Sequence, residues 1–274
     1  MRPMTGEQLI ATLHGEGRAY GTCTVSPTPR WPNALKSAGL DFVFIDTEHN
    51  TLDRSQVGWM CRTYAALGIA PIVRIPAPDP YQATVALDDG ATGVVAPYIE
   101  TVEQVQALRG AIKHRPLKGA RLEARLRGES ISDELDVYMA RGNAGHVFII
   151  NIESLPAIEA LDELLAVPDL DGVLIGPHDL SCNLGVPEQY DHPDFIAAVK
   201  MIFSKARAAG VGAGIHFWGE PEKQAELLGF GANFLIHSAD LLLVRKHLTN
   251  ELLKIRELMG DSGEGKDPGD SVNI

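Results

Sequence analysis

The chain alternates between two periodicities. Short runs in which nearly every residue is apolar fall at 20–25, 42–46, 71–75, 93–96, 147–152, 172–175, 211–215 and 233–236. Such runs, bounded by Gly, Pro or Asp, read as strands buried on both faces. Between them apolar residues return every three or four positions, the stripe of an amphipathic helix. The spacing predicts helices over 5–15, 33–39 and 53–67, the last ended by Gly68, and a further helix opened by the PAPDP loop at 76–80 and carrying Asp88 and Asp89. Thr101 and Gln104 form a capping box ahead of the stripe Val102, Val105, Leu108 and Ile112. Ser154 is the N-cap of one helix striped by Ile158, Leu161, Leu164 and Leu165, and a long striped helix runs over 240–259. Strands that alternate with helices lie parallel, and eight such units in ~240 residues match an α/β fold of one domain, the (β/α)8 TIM barrel.

Two segments break the rhythm of a barrel spanning 1–259. Residues 116–145 are too long and too charged for an ordinary connection, and read either as a lid or site-lining insertion or as a solvated face. Residues 260–274, small, polar and aperiodic, are expected to be disordered. The net charge of −12 argues against nucleic acid or an anionic membrane as the main partner, since both need a basic patch. A small anionic substrate stays open, because a local arginine or a metal can hold it inside an acidic protein. Cys23, Cys61 and Cys182 are an odd number without CxxC spacing, which suggests a reducing cytoplasm and neither disulfides nor a zinc knuckle. No apolar run approaches the ~18 residues of a membrane span.

Barrel enzymes assemble their sites where the strands end, so polar residues at those ends are the candidates. The runs 147–152 and 172–175 lead to Glu153 and, a few residues on, to Asp179. In parallel strands both carboxylates stand on one rim, where two hard oxygen ligands suit Mg²⁺ or Mn²⁺. A plainer reading places Glu153 in the first turn of its helix and lets Asp179 cap the next one. His49 follows the second run and Arg74 lies near the end of the third, which adds a base and a cation to the same rim. Asp88 or Asp89 either orients His49 or is a helix-surface charge. Gly210, Gly212 and Gly214 lie before and within a strand, and so read as packing or turn glycines and not as a phosphate loop. None of the eight runs holds a lysine, which favours metal-assisted over Schiff-base carbonyl chemistry.

FVFIDTEHN, PIVRIP, LDDGATGVVAP, NIES and VLIGPHDLS, in this order, resemble the motifs of the HpcH/HpaI aldolase and citrate lyase family over residues 21–253. These are metal-dependent class II pyruvate aldolases, the 4-hydroxy-2-oxoheptanedioate aldolases among them. The resemblance implies Glu153 and Asp179 as ligands of a divalent metal (Mg²⁺, Mn²⁺ or Co²⁺), Arg74 as the contact of a 2-oxo acid, and His49 with Asp88 as a His–Asp dyad. It also implies a pyruvate pocket lined beside Gly176 and Pro177, and a last helix exchanged between neighbours in a homo-oligomer, usually a hexamer. Three positions depart from the family pattern: Asn151 replaces a Gln, His178 a small residue, and Gly119-Ala120-Arg121-Leu122 a Gly-x-Arg-Gly, so the pocket wall has changed. The expected reaction is reversible cleavage of a 4-hydroxy-2-oxo acid to pyruvate, or a close 2-oxo acid, and an aldehyde through an enolate. Its alternatives are a citrate-lyase-like or decarboxylating reaction through the same enolate, and a non-catalytic 2-oxo-acid binder. A base at His49 argues against mere binding, which needs none.

Overall fold

The eight apolar runs close on themselves in the computed structural model, which describes residues 4–261. Strands β1 (Ala19–Thr24), β2 (Phe42–Asp46), β3 (Ala70–Arg74), β4 (Gly93–Ala96), β5 (Val147–Asn151), β6 (Gly172–Ile175), β7 (Gly212–Phe217) and β8 (Phe234–Ala239) pair in sequence order, all parallel, and β8 returns to β1. Around them run α1 (Gly6–His14), α2 (Trp31–Lys36), α3 (Arg54–Ala66), α4 (Pro80–Asp88), α5 (Val102–Lys113), α6 (Gly119–Leu126), α7 (Asp133–Asn143), α8 (Leu155–Glu159), α9 (Leu161–Leu165), α10 (Pro177–Asn183), α11 (Pro193–Ala208), α12 (Pro221–Gly229) and α13 (Asp240–Met259).

The strands read as unbroken apolar runs because both faces are covered. One alternate set, including Phe42, Phe44, Ile72, Val95, Leu174 and Phe234, fills the interior of the barrel. The other, including Val43, Ile45, Val73, Val94 and Ile150, packs against the surrounding helices. Leu9 and Leu13 of α1 join the interior set, so this helix closes the amino-terminal end. The glycines of β7 are packing glycines, as expected: a Cβ on Gly214 would stand 2.4 Å from the Phe234 ring, and one on Gly212 2.9 Å from Leu13.

Three expectations change. β7 and β8 run two and three residues further than the apolar pattern suggests, because the ladder continues through polar positions to the pair Phe217 and His237. The single helix after Ser154 is two short ones, α8 and α9, broken at Ala160. The segment 116–145 forms α6 and α7 between the lower end of α5 and the start of β5, and Gly145 abuts Gly6 of α1. Both its ends therefore stand at the amino-terminal end, so within one chain it flanks α5 and does not cover the opposite rim. The tail expected to be disordered lies, beyond Asp261, outside the described residues. Among the described residues no helix is long and apolar enough to cross a membrane.

Candidate active site

At the carboxyl ends of the strands the inward row turns from apolar to polar. Two residues after Phe44 comes Asp46, two after Ile72 comes Arg74, two after Ile149 comes Asn151, and two after Gly214 comes His216. Register puts Asp46 directly beside Arg74. The Arg74 Nε donates to Asp46 Oδ1 at 2.8 Å, an η-nitrogen lies 3.1 Å from Glu48 Oε2, and the guanidinium stands over the Phe44 ring at 5.3 Å. Burial opposes ionisation of Asp46, yet the Arg74 bond and charge hold its carboxyl below the usual range. Glu48 is pushed the other way by burial, against the pull of Arg74. The His49 imidazole is half-exposed, with Nε2 at 3.6 Å from Glu48 Oε2.

Asp88 does not join it. Asp88 ends α4, and its carboxylate is taken by Arg115, which also donates to the Thr84 carbonyl at 3.3 Å. Asp89 is paired with Arg54 at 2.8 Å. The expected His49–Asp88 dyad is thus not formed within one chain; the carboxylate beside His49 is Glu48. A motif gives the residue but not the direction in which the last turn of a helix presents it.

Glu153 follows β5 and is 2% exposed. Its Oε1 accepts from the Tyr98 amide at 2.8 Å and its Oε2 from Asn151 Nδ2 at 2.9 Å. Tyr98 takes a left-handed φ of 49° to aim that amide, a conformation rare outside glycine. A Cβ on Gly176 would stand 2.2 Å from Glu153 Oε2, so glycine is required there. Burial, reinforced by the charge of Asp179, pushes the Glu153 carboxyl up to about 7. The plainer reading of these carboxylates does not describe them. Glu153 turns away from α8, which Ser154 caps through the Ala157 amide, and α10 has no side-chain cap. Pro177 is buried in the first turn of α10. His178 stands exposed and Asp179 half-buried beside it, with His178 Nδ1 at 3.7 Å from Asp179 and Nε2 at 3.8 Å from Glu188.

Two carboxylates in mutual repulsion, one of them buried on neutral hydrogen-bond donors alone, make a set of hard oxygens whose charge a cation would offset. Asn151 Oδ1, buried without a hydrogen-bond partner, is a further oxygen at the same place. Among the described residues no three His, Cys, Asp or Glu side chains form a metal-binding group. Two carboxylates and an amide oxygen are the donor chemistry of a hard ion such as Mg²⁺, which takes one or two carboxylates and keeps its other positions for water and substrate oxygens. Sequence reasoning overlooked Asp46, Glu48, His216 and Trp218. Strand parity was the available signal for Asp46 and His216, since each lies two residues beyond an interior position.

The HpcH/HpaI aldolase/citrate lyase family model matches residues 26–246. A 2-dehydro-3,6-dideoxy-6-sulfogluconate aldolase from Pseudomonas putida is 32% identical over 241 residues, 88% of this chain and 93% of the relative. A 2-keto-3-deoxy-L-rhamnonate aldolase from Salmonella paratyphi A is 29% identical over 86% of this chain and 88% of that one. A solved family protein from Burkholderia cenocepacia J2315 superposes with a TM-score of 0.79 at 26% identity, over 92% of this chain and all (100%) of the other. With this barrel and this rim, the chain belongs to the HpcH/HpaI aldolase/citrate lyase family and is a carbon–carbon lyase of the aldolase kind.

Proposed function

We propose that the protein is a class II, divalent-metal-dependent aldolase. It reversibly cleaves the C3–C4 bond of a 4-hydroxy-2-oxo acid and yields pyruvate, or a close 2-oxo acid, and an aldehyde. The observation that carries this reading is the buried Glu153 carboxylate, held by neutral donors, beside Asp179 on the rim that Arg74 enters. Glu153 and Asp179 would hold Mg²⁺, Mn²⁺ or Co²⁺, which supplies Lewis-acid polarisation of the 2-oxo acid. Arg74, fixed by Asp46 and Glu48, keeps N–H groups free to stabilise the negative charge that develops on the ketone oxygen as the bond breaks. His49, with Glu48 as its neighbour, takes the proton of the C4 hydroxyl and returns it in the reverse direction. Gly176 and Pro177 give the 2-oxo acid a close backbone wall, with Asn151 and His178 at its edge.

The chain works in this reading as a cytoplasmic homo-oligomer, a hexamer by family resemblance. α13 supports this: only Asp240 of its twenty residues is buried, while Leu241, Leu248, Ile255, Leu258 and Met259 are each more than half exposed. An apolar stripe of that length is covered in solution by another surface, here a neighbouring copy. The test of the chemistry is pyruvate in D₂O with each metal in turn, followed by a chelator, read by loss of the methyl proton signal. Metal-dependent exchange that the chelator stops is expected. No exchange with any metal, or exchange that ignores the chelator, overturns the reading.

A further inference from the structure

His216 lies in the polar top layer of the barrel with Asp46, Arg74 and Asn151, yet the proposed chemistry gives it no task. Its ring packs on Phe44 at 5.6 Å between centroids and meets Trp218 edge-on at 5.8 Å. Nε2 lies 3.1 Å from the Ser238 carbonyl oxygen, which can only accept, so Nε2 carries the proton and Nδ1 is left as an acceptor. Ser238 sits where β8 bulges, with two residues opposed to Thr22 of β1, and it adopts a left-handed φ of 52°. Such backbone is disfavoured for any residue with a side chain, so the chain holds local strain to set this carbonyl beside the ring. Burial, with Arg74 nearby, brings the His216 pKa down to about 4, so the imidazole stays neutral. Among the described residues its Nδ1 has no protein partner.

The charges around this acceptor narrow what it can meet. The cation of the top layer is Arg74, already between Asp46 and Glu48, while Glu153 and Asp179 add further negative charge. Lys246, beside the cavity behind Trp218 and His237, is paired with Glu220 at 2.7 Å. Among the described residues, a second carboxylate on the substrate would face lone pairs here and no cation beyond Arg74, whose free N–H groups the ketone oxygen takes. A hydroxyl would find an acceptor, and the carbon chain that bears it would lie along the face of Trp218, which is 41% exposed and steadied by Tyr190 and Phe217.

We propose that His216 and Trp218 form the subsite for the aldehyde half of the substrate and select an uncharged aldehyde with a hydroxyl beside its carbonyl over one ending in a carboxylate. The inference rests on the aldolase reading above. The test is aldol addition of pyruvate, with Mg²⁺ or Mn²⁺, to glyceraldehyde and to succinic semialdehyde, each reported as kcat/KM. The wild-type ratio should favour glyceraldehyde at least ~10-fold, the worth of about one hydrogen bond. His216→Leu and, separately, Trp218→Leu should each lower it by a similar factor. A ratio taken within one preparation cancels any loss of folded protein. A wild-type preference for succinic semialdehyde, or variants that keep the wild-type ratio, overturns the subsite alone. Absence of pyruvate proton exchange in the wild type overturns the aldolase reading, and the subsite with it.

Discussion

Asp171 and Glu153 are equally buried, each 2% exposed, and stand at opposite ends of the same barrel. Asp171, just before β6, accepts from the Phe148 amide at 2.7 Å, from Lys113 Nζ at 2.6 Å and from His14 Nε2 at 3.0 Å. Its charge is neutralised inside the chain, and the result is a fastening that ties α1 and α5 to the strands. Glu153, just after β5, has as many lone pairs and only neutral donors, Tyr98 and Asn151. A buried carboxylate with its own cation is structure. One without it is a standing cost to the fold, which under the proposed function the metal offsets.

The sharpest way to break this contrast is to neutralise each carboxylate in turn. Glu153→Gln should cut metal-dependent pyruvate exchange by at least ~10²–10³-fold, the usual loss when a charge-stabilising group leaves a site. The fold should survive, because the Asn151 amide, whose Oδ1 has no partner, can turn over and offer that oxygen to the new amide. Exchange near the wild-type rate would mean that Glu153 is not the chemical carboxylate. Asp171→Ala should do the reverse. Denaturant unfolding should show a loss of about 3–5 kcal/mol, because Lys113, largely buried, loses its partner, while exchange per folded molecule stays the same. A loss under ~1 kcal/mol would place this pair with ordinary surface bridges.

The same contrast shows why the two ends were unequally legible in the sequence. The strands were readable because burial on both faces leaves an uninterrupted apolar run, and the lower layers of the barrel contain little else. Where a strand enters the site its inward residue becomes polar, so the pattern stopped at Ile215 and Ile236 although the ladder continued through His216 and His237. Glu153, Asp179, Arg74 and His49 were visible as residues that follow apolar runs. The partner of His49 was not, because which neighbour claims Asp88 depends on Arg115, far along the chain and across a helix boundary. The fastening at Asp171 joins residues from α1, α5 and β5, which no local pattern connects.

A smaller effect sharpens the contrast through pH. Burial raises the Glu153 carboxyl from 4.5 to about 7 in the folded protein, so the folded state binds a proton that the unfolded chain releases near 4.5. Stability of the metal-free protein should therefore fall as pH rises from about 4.5 to about 7, by about 2–4 kcal/mol, and then level off. Thermal unfolding in chelator across this range measures it. Glu153→Gln should remove the fall; persistence of the full slope in that variant would assign it to other groups.

The smallest effect belongs to the other end. Both ring nitrogens of His14 face acceptors, Nδ1 the Gly210 carbonyl at 2.7 Å and Nε2 the Asp171 carboxylate at 3.0 Å, so the doubly protonated ring satisfies both. Its pKa is raised, chiefly by the bond to Asp171, although partial burial opposes the charge. A histidine whose pKa is raised on folding adds stability that is complete below its unfolded value of ~6.5 and is lost as pH climbs through the folded value. Glu153 titrates close by on the pH scale and in the same direction, so the measurement belongs in the Glu153→Gln background, where that slope is gone. There, adding His14→Gln should destabilise the protein most at pH 5.5 and least at pH 9. The difference should stay under ~1 kcal/mol, because the imidazole is 40% exposed and water screens its charge. Equal destabilisation at both pH values would show that the ring acts by packing alone, and that Lys113 is the cation that secures Asp171.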